Sequence, residues 1–500
     1  MRRAVDQFLN QMSMYRLLSV ALMAVWGVVL YLSLIGRLHY SPLELIASAV
    51  VLILSTYGFN VLFGWLFNVR THDESSFITA LILFFLFSPS IRLLDLASLA
   101  LIAMIAMGTK YVLVIKGRHI FNPAAAGAVI VGILGVTHAT WWIATPILVP
   151  VTLLFAFLIL YKTRRLTLGV LFLATAIPLI ITVGMFNGQS LLAAVTSLLS
   201  WPLLFFVGFM LSEPLTLPPR RWQRYLIGVI VAVLFAIPVS IGGISSSPAL
   251  ALLIGNLIAF TFTQRKHLQL TFKERRRLSP SSEEYVFAAG QPLAFTAGQY
   301  MEITIPHTHK DSRGIRRIFS IVSAPGDSTV RFGIKMHEQP SSFKKALRDI
   351  LPGMTIDATG IGGDFVLPKD ASVPLLFVAG GIGITPFISH LLNMRDANQA
   401  KDVILIYIVS SVEELTYVDI IEASGIRVVV VTNTSDTTQK RNWTMIDARR
   451  ITVSHIATYV PDLSDRHVYV SGPPQMVSNI KALLKGMQAK HITCDYFTGY

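Results

Sequence analysis

Four short stretches in the second half of the chain combine residue types that can hold phosphates and a flat ring system. In Arg317-Ile318-Phe319-Ser320, strand alternation puts Arg317 and Phe319 on one face, with Ser320 beyond. A guanidinium in that place can pair with a pyrophosphate while the ring packs on a flavin or ribityl group, and Ser320 can hydrogen-bond flavin N5. The same string also reads as an ordinary strand with one exposed arginine. In Gln339 to Leu347 a serine, Ser341 or Ser342, stands at a helix N-cap, where free backbone N–H groups suit a phosphate or are simply capped. Gly380 to Pro386, GGIGITP, follows an apolar strand and precedes a helical run. Glycines at such a turn let the chain reverse tightly and let a dinucleotide approach the backbone at a helix N-terminus. Ser471 to Met476, SGPPQM, closes another strand, HVYV, on the same expected sheet edge, and by itself is a turn.

The elements that position these stretches change character along the chain. From Leu268 to Val366 short alternating strands such as QYMEITIP and VRFGIKM are separated by Gly, Pro and Ser turns, which predicts a small antiparallel β-barrel over 268–370. Over 371–500, PLLFVAGGIG, VILIYIVSS, RVVVVTN and HVYVSG alternate with helical stretches, which predicts an α/β domain with a parallel sheet. After the second of these strands, Glu413 and Glu414 stand where an adenine ribose would bind, without an adjacent arginine for a 2′-phosphate. An acidic group there favours NADH over NADPH, although Lys440 and Arg441 argue the other way and the glutamates also suit a solvated helix start.

Taken in order, GQY (Gly298 to Tyr300), RIFS, SSF, GIGGDF (Gly360 to Phe365), GGIGITP, SGPPQM and the terminal DYFTGY (Asp495 to Tyr500) resemble the ferredoxin-NADP reductase superfamily over nearly all of 268–500. The resemblance implies FAD on the barrel, with Arg317 at the pyrophosphate, Ile318, Phe319 and Ser320 along the flavin, and Ser341 and Ser342 at the phosphates. It implies a nicotinamide nucleotide at Gly380, Gly381, Gly383 and Thr385, with Gly472 and Pro473 in the neighbouring loop. Phe497 or Tyr500 would stack on the isoalloxazine and give way to nicotinamide. Ser471 stands where that family often has Cys, close to the hydride path.

The first half is a different kind of chain. The whole sequence is 53% hydrophobic and only 14% charged, yet charges at soluble density begin only near Gln264, after a domain over 1–263 and through a basic linker over 264–277. About ten apolar runs predict a polytopic all-α membrane domain. They cover approximately Tyr15 to Ile35, Leu43 to Phe67, Phe77 to Ser90, Leu93 to Met107, Ile120 to Val136, Trp141 to Tyr161, Leu166 to Met185, Leu191 to Leu211, Tyr225 to Ile241 and Pro248 to Phe262. One set of loops carries Arg70, Lys110, Lys116, Arg118, Lys162, Arg164, Arg165, Arg220, Arg221 and Arg224, whereas the other carries only Arg37 and Arg92. By the positive-inside rule both termini and the reductase module are cytoplasmic, in a protein of the cell membrane. The same placement accounts for the net charge of +14 without nucleic acid. The basic N-terminus reads as a retained first helix. A single cysteine, Cys494, excludes a disulfide framework and a cysteine-ligated iron–sulfur cluster.

Pro89 and the FNPAAAG start at Phe121 predict broken helices, whose exposed ends usually line a site, or else a simple helix start with close packing. SSFITALILFF (Ser75 to Phe85), FNPAAAG, SEPLTLPP (Ser212 to Pro219) and IGN (Ile254 to Asn256) resemble the flavin-carrying membrane subunits of the sodium-pumping NADH:quinone oxidoreductase and the Rnf complex. That family esterifies a flavin to a Ser-Gly-Ala-Thr threonine in an outer loop. The corresponding loop here, Phe186 to Leu192, has no such motif, so the implied occupant is a non-covalent flavin or a quinone. Haem, which needs paired histidines inside helices, is rejected because His39, His72, His119 and His138 lie near helix ends on both sides. No metal is required. The expected activity is hydride transfer from NAD(P)H to FAD, then single electrons to a membrane acceptor, with separate redox partner proteins as a further expectation. The alternative is a transporter or channel regulated by a redox-sensing module.

Overall fold

The computed structural model describes every residue other than 1–8, 10–11, 69–70, 72, 116–117, 242–243, 263–267, 291–292, 309–310, 312–313, 337, 400, 434–440, 449 and 497–500. It divides into two units, Met1–Gln264 and Arg265–Tyr500.

Apolar segments satisfy their backbone internally as helices, and the first unit is built of these: α1 (Met14–Leu34), α2 (Pro42–Leu66), α3 (Asp73–Leu86), α4 (Leu93–Val112), α5 (Pro123–Ile133), α6 (Val149–Lys162), α7 (Leu166–Phe186), α8 (Leu191–Ser197), α9 (Leu203–Phe205), α10 (Arg221–Ala236) and α11 (Pro248–Thr261). A π-helical turn, Phe206–Leu211, continues α9. Short hairpins β1 (Val114–Ile115) with β2 (Arg118–His119) and β3 (Ser240–Ile241) with β4 (Ile244–Ser245) link helices. Among the described residues α1, α2, α4 and α7 are long and apolar enough to cross a membrane, and the pair Leu191–Ser200 and Leu203–Leu211, bent by 50°, would make a fifth. All ten expected runs contain helix, but several are stopped early. Asn122 caps α5 and Pro123 opens it, and the chain turns out at Gly135 with φ +68°, so α5 has 11 residues where about 20 would span.

The second unit opens with six antiparallel strands: β5 (Leu268–Ser279), β6 (Ser282–Ala289), β7 (Tyr300–Thr304), β8 (Arg316–Ser320), β9 (Thr329–Lys335) and β10 (Thr355–Gly362). Their order is β8-β7-β10-β5-β6-β9, and beyond β8 the Val322 N–H donates to Arg331 O of β9 at 2.9 Å. The sequence predicts a barrel, and what the ladders form is a six-stranded sheet with β8 and β9 at its ends. From Leu268 the expected basic linker is strand instead: Arg276 and Arg277 face Glu284 and Glu283 across β6, a charge match that favours pairing over a loose linker. Helix α12 (Ser342–Arg348) closes one end of this sheet with Phe343 and Leu347 fully buried.

The remaining strands are parallel: β11 (Leu375–Gly380), β12 (Val403–Ile408), β13 (Arg427–Thr432), β14 (Trp443–Asp447), β15 (His467–Gly472) and β16 (His491–Tyr496), in the order β14-β13-β12-β11-β15-β16. Every residue of β11 is buried, as a central parallel strand requires. Leu375, Phe377 and Ala379 join one core and Leu376 and Val378 the other, on opposite faces. Helices α13 (Thr385–Asp396), α14 (Val418–Ala423), α15 (Val453–Tyr459) and α16 (Pro474–Gly486) complete the layers. At the amino-terminal edge the buried Arg466 donates to Leu375 O at 3.0 Å and pairs with Asp402 and Asp462, each at 2.8 Å. The strand order reverses between β11 and β15 at the carboxyl-terminal edge.

Candidate functional site

At that reversal the two glycine-containing loops meet. A Cβ on Gly383 would lie 2.5 Å from Ser471 O and 2.6 Å from Gly472 Cα, so only glycine permits this contact. Gly380 and Gly472 are likewise filled by Met476, and Gly472 has φ +150°. Gly381 differs: its φ is +52° and a Cβ there would meet open space. Most of the predicted glycines therefore bring loop against loop, and Gly381 is the one beside free volume. A short 3-10 turn, Gly381–Ile384, then feeds α13. The Thr385 hydroxyl donates to Ile382 O at 3.1 Å, and its methyl group lies against Gly333 of β9. Ser471 is fully buried and its hydroxyl has no hydrogen-bond partner among the described residues. An unpaired buried hydroxyl costs about 1–3 kcal/mol. Pro473 caps α16.

On the antiparallel sheet, Arg317 and Phe319 share a face as alternation predicts, and both lie against Phe343: the guanidinium carbon is 5.0 Å from its ring centroid and the Phe319 ring 5.9 Å. Ile318 points to the other face, 44% exposed. Arg317 is more buried than a strand arginine waiting in solvent. It donates to Gly314 O at 2.9 Å and Arg316 O at 2.7 Å and pairs with Asp311 at 3.4 Å. Of the two candidate serines, Ser341 is the N-cap, accepting from Lys344 N at 3.4 Å, whereas Ser342 is the first helical residue. The Ser342 N–H donates to Asp311 Oδ2 at 3.2 Å, and its hydroxyl contacts His307 Nε2 at 2.9 Å and accepts from Asp311 N at 3.0 Å. One carboxylate thus already bridges the two donors assigned to phosphate. Ser320 is buried opposite Tyr300.

GQY and GIGGDF prove to be joints. His390 of α13 is buried and donates from Nε2 to Phe365 O at 3.0 Å, and a Cβ on Gly298, φ +84°, would strike both groups. Burial holds the His390 imidazolium far below its ordinary range, at about 3, against the pull of the Phe365 carbonyl. Glu413 is exposed in the 3-10 turn Val412–Glu414 beyond β12, while Glu414 is tied to Ser279 at 3.1 Å and Ser281 at 2.5 Å. Phe497 and Tyr500 lie outside the described residues; the strand leading to them ends at Tyr496, beside Gly472. Asp311, His307 and His390 were not singled out from the sequence. Asp311 sits in a polar loop without a motif, and His390 in FISHLL looks like any helix histidine.

In the first unit the four strings that carry the membrane resemblance converge. The Asn122 N–H donates to Asn256 Oδ1 at 2.9 Å, its Nδ2 donates to Glu213 Oε2 at 2.9 Å, and its Oδ1 caps α5 at Ala125 N. The Thr216 hydroxyl reaches the same Glu213 oxygen at 3.4 Å. Lys110, at the end of α4, donates to Ser75 Oγ at 3.0 Å and Ser75 O at 3.3 Å, within electrostatic reach of Glu213. Nearby, Arg165 donates to Ser212 O.

Residues 377–482 match the family model of the oxidoreductase NAD-binding domain. The chain is 29% identical over 168 residues to methane monooxygenase component C of Methylosinus trichosporium, covering 31% of this chain and 48% of that protein. It is 28% identical over 237 residues to the reductase component of propane 2-monooxygenase of Rhodococcus jostii, covering 44% and 62%. Against ferredoxin–NADP reductase B of Sorangium cellulosum it is 28% identical over 243 residues, covering 44% of this chain and 94% of that one. The chain thus spans about half to two thirds of the first two relatives. The C-terminal unit is a ferredoxin-NADP reductase-like, NAD-binding oxidoreductase module.

The residues present fit both expected groups. The Ser471 hydroxyl, without a partner among the described residues, and the space at Gly381, just before α13, suit a nicotinamide nucleotide. The donor set of Arg317, Ser342 and α12, already holding a carboxylate, suits the pyrophosphate of FAD.

Proposed function

We propose that this chain is a membrane-bound NAD(P)H oxidoreductase that delivers electrons to a quinone, or to a flavin held in its membrane unit. The carrying observation is the reversal point of the parallel sheet, where Gly383 meets Ser471 and Gly472, Gly381 faces open space, and the buried Ser471 hydroxyl has no partner among the described residues. FAD, when bound, accepts a hydride and gives electrons up singly, which suits a two-electron donor feeding a membrane carrier. The protein's own residues bind and orient. Arg317 and Ser342 hold the pyrophosphate in exchange for Asp311, Thr385 and Gly381 seat the nicotinamide nucleotide, and Ser471 bonds the nicotinamide side of the reacting pair. Glu413, exposed beyond β12, favours the free ribose hydroxyl of NADH.

The apolar helices support placement in the cell membrane, with about ten passes when the short helices are counted as shielded spans, and the basic loops support a cytoplasmic module. The test is anaerobic mixing of FAD-loaded full-length protein with NADH or NADPH, followed by ubiquinone-1. Flavin bleaching faster with NADH, then quinol formation, is the expected result. Absence of bleaching with either nucleotide overturns the reading, and solute flux through proteoliposomes without turnover would favour a regulated transporter.

A further inference from the structure

Four large apolar side chains stand exposed among the described residues of the reductase module, and two of them, Leu351 at 60% and Met354 at 49%, share one turn. Pro352 and Gly353, φ +89°, fill its central positions as a type II turn prefers, and the Met354 N–H donates to Leu351 O at 3.0 Å. The two apolar residues thus stand at its ends, within about 7 Å of each other. Strand β5 holds the turn in place: the Gly353 N–H donates to Phe272 O at 2.9 Å, and the Phe272 N–H donates to Met354 O at 2.8 Å. Phe272 is buried in the core of the antiparallel sheet, while every residue from Leu351 to Thr355 is exposed.

Basic residues surround this turn. Lys273 follows Phe272 on β5, Lys345 and Arg348 lie in the last turn of α12 just before it, and Arg275 donates to Arg348 O at 3.4 Å. All four are exposed. Against them stand Asp349 and Glu274, and Glu274 is paired with Arg276. Apolar residues ringed by cations suit the headgroup boundary of an anionic bilayer, where the acyl region takes the apolar tips and the phosphates take the charges. A second basic surface, such as another copy of this turn, is a poor partner because like charges repel. Phe272 follows Thr261, the last residue of the apolar helix α11, by eleven residues, so the turn is bonded to a strand tethered close to the apolar unit.

We propose that the Leu351–Met354 turn docks the reductase module on the bilayer surface. Leu351, Pro352 and Met354 enter the headgroup boundary, and Lys273, Arg275, Lys345 and Arg348 face anionic phospholipid. The inference rests on the proposed placement of the apolar unit in a membrane. Its two components respond to different conditions: the apolar contact survives salt, whereas the charged one is screened over about 10 Å at 0.1 M ionic strength.

The test places an environment-sensitive fluorophore on Leu351→Cys in the full chain, in a Cys494→Ser background that still reduces ferricyanide with NADH. The protein is held in nanodiscs of equal parts phosphatidylglycerol and phosphatidylcholine, with a doxyl quencher near the lipid headgroups. The label is expected to be quenched, and less so in phosphatidylcholine alone or at high salt. A label on Val453→Cys, an exposed apolar site at the start of α15, is expected to stay unquenched. Lys273→Glu with Arg348→Glu is expected to lose most of the quenching at position 351. An unquenched label at 351 overturns the inference, and if that label is also shielded from aqueous iodide the turn faces protein instead of lipid. Quenching that ignores both lipid charge and salt overturns the anionic partner. A label on Leu54→Cys, exposed in the middle of α2, separates the two readings. If a quencher set deep in the acyl chains leaves it bright, the membrane placement itself fails, and this inference with it.

Discussion

The two units build polar sites in opposite ways. In the C-terminal unit the site is made by removing side chains: Gly383 lets loop touch loop and Gly381 leaves space, while the hydroxyl of Ser471 has no partner among the described residues. In the N-terminal unit the site is made by filling space, with Asn122, Asn256 and Glu213 supplying one another's partners and Ser75 supplying those of Lys110. The difference follows from solvent. A glycine-built sheet edge can leave space for a ligand, whereas inside an apolar bundle every polar group must find a protein partner or go without. Backbone-built sites should therefore fail through sterics, and side-chain-built sites through stranded polar groups.

The sharpest break of the first kind is Gly383→Val. Its Cβ would fall 2.5 Å from Ser471 O, so the two loops must part. A displacement on that scale is expected to slow hydride transfer from NAD(P)H about 100-fold, measured by stopped-flow flavin bleaching with FAD content unchanged. Gly381→Ala, which meets open space but carries φ +52°, should be much milder in sterics and show mainly weaker nucleotide binding.

For the membrane unit the equivalent is Asn256→Ala. It strands the buried Asn122 N–H, a loss of about 1–3 kcal/mol, visible as an earlier thermal transition in detergent while NAD(P)H-to-ferricyanide turnover persists. A variant that melts like the wild type would show that Asn122 finds another acceptor and that the cluster is looser than its distances imply.

These contrasts explain what was legible. The strand-to-helix context of GGIGITP and SGPPQM was enough to place both loops on one sheet edge, because parallel sheets put their loops there by topology. The FNPAAAG, SEPLTLPP and IGN strings were visible as strings, but no local rule says that Asn122, Glu213 and Asn256 meet, since helix packing joins them across the sequence. Helix lengths failed for a related reason. Hydropathy extends α5 to Val136, whereas the structure ends the helix at Ile133 before Gly135 takes a positive φ. Arg317 was expected at the FAD pyrophosphate, and its partner in the fold is Asp311, which no motif marks.

Ser471→Ala probes whether the empty hydroxyl is there for a ligand. Removing an unpaired buried hydroxyl should leave the nucleotide-free protein as stable, or more stable by about 1 kcal/mol, and slow hydride transfer severalfold. Unchanged hydride transfer would reduce Ser471 to packing and leave the site to the glycines alone.

The last effect, read in stability against pH and not in rate, concerns the joint between the antiparallel sheet and α13. Burial lowers the His390 pKa from an ordinary 6.5 to about 3, with Lys401 adding slightly and the Phe365 carbonyl opposing. In the unfolded chain the imidazole takes its proton near 6.5, and in the folded protein only near 3, so between those values unfolding takes up a proton. The stability due to neutral His390 is therefore full above 6.5 and declines as pH falls toward 3, by up to about 1.4 kcal/mol per pH unit. His390→Gln keeps an N–H donor for Phe365 O and cannot titrate in this range. Its melting temperature should fall less steeply than the wild type's between pH 6.5 and 4.5, with the two curves closest in slope above pH 7. Equal slopes at low pH would mean that other groups, and not this joint, govern the acid sensitivity of the reductase module, and that its two sheets are held together chiefly by contacts such as Ser389 to Ser323 O at 2.7 Å.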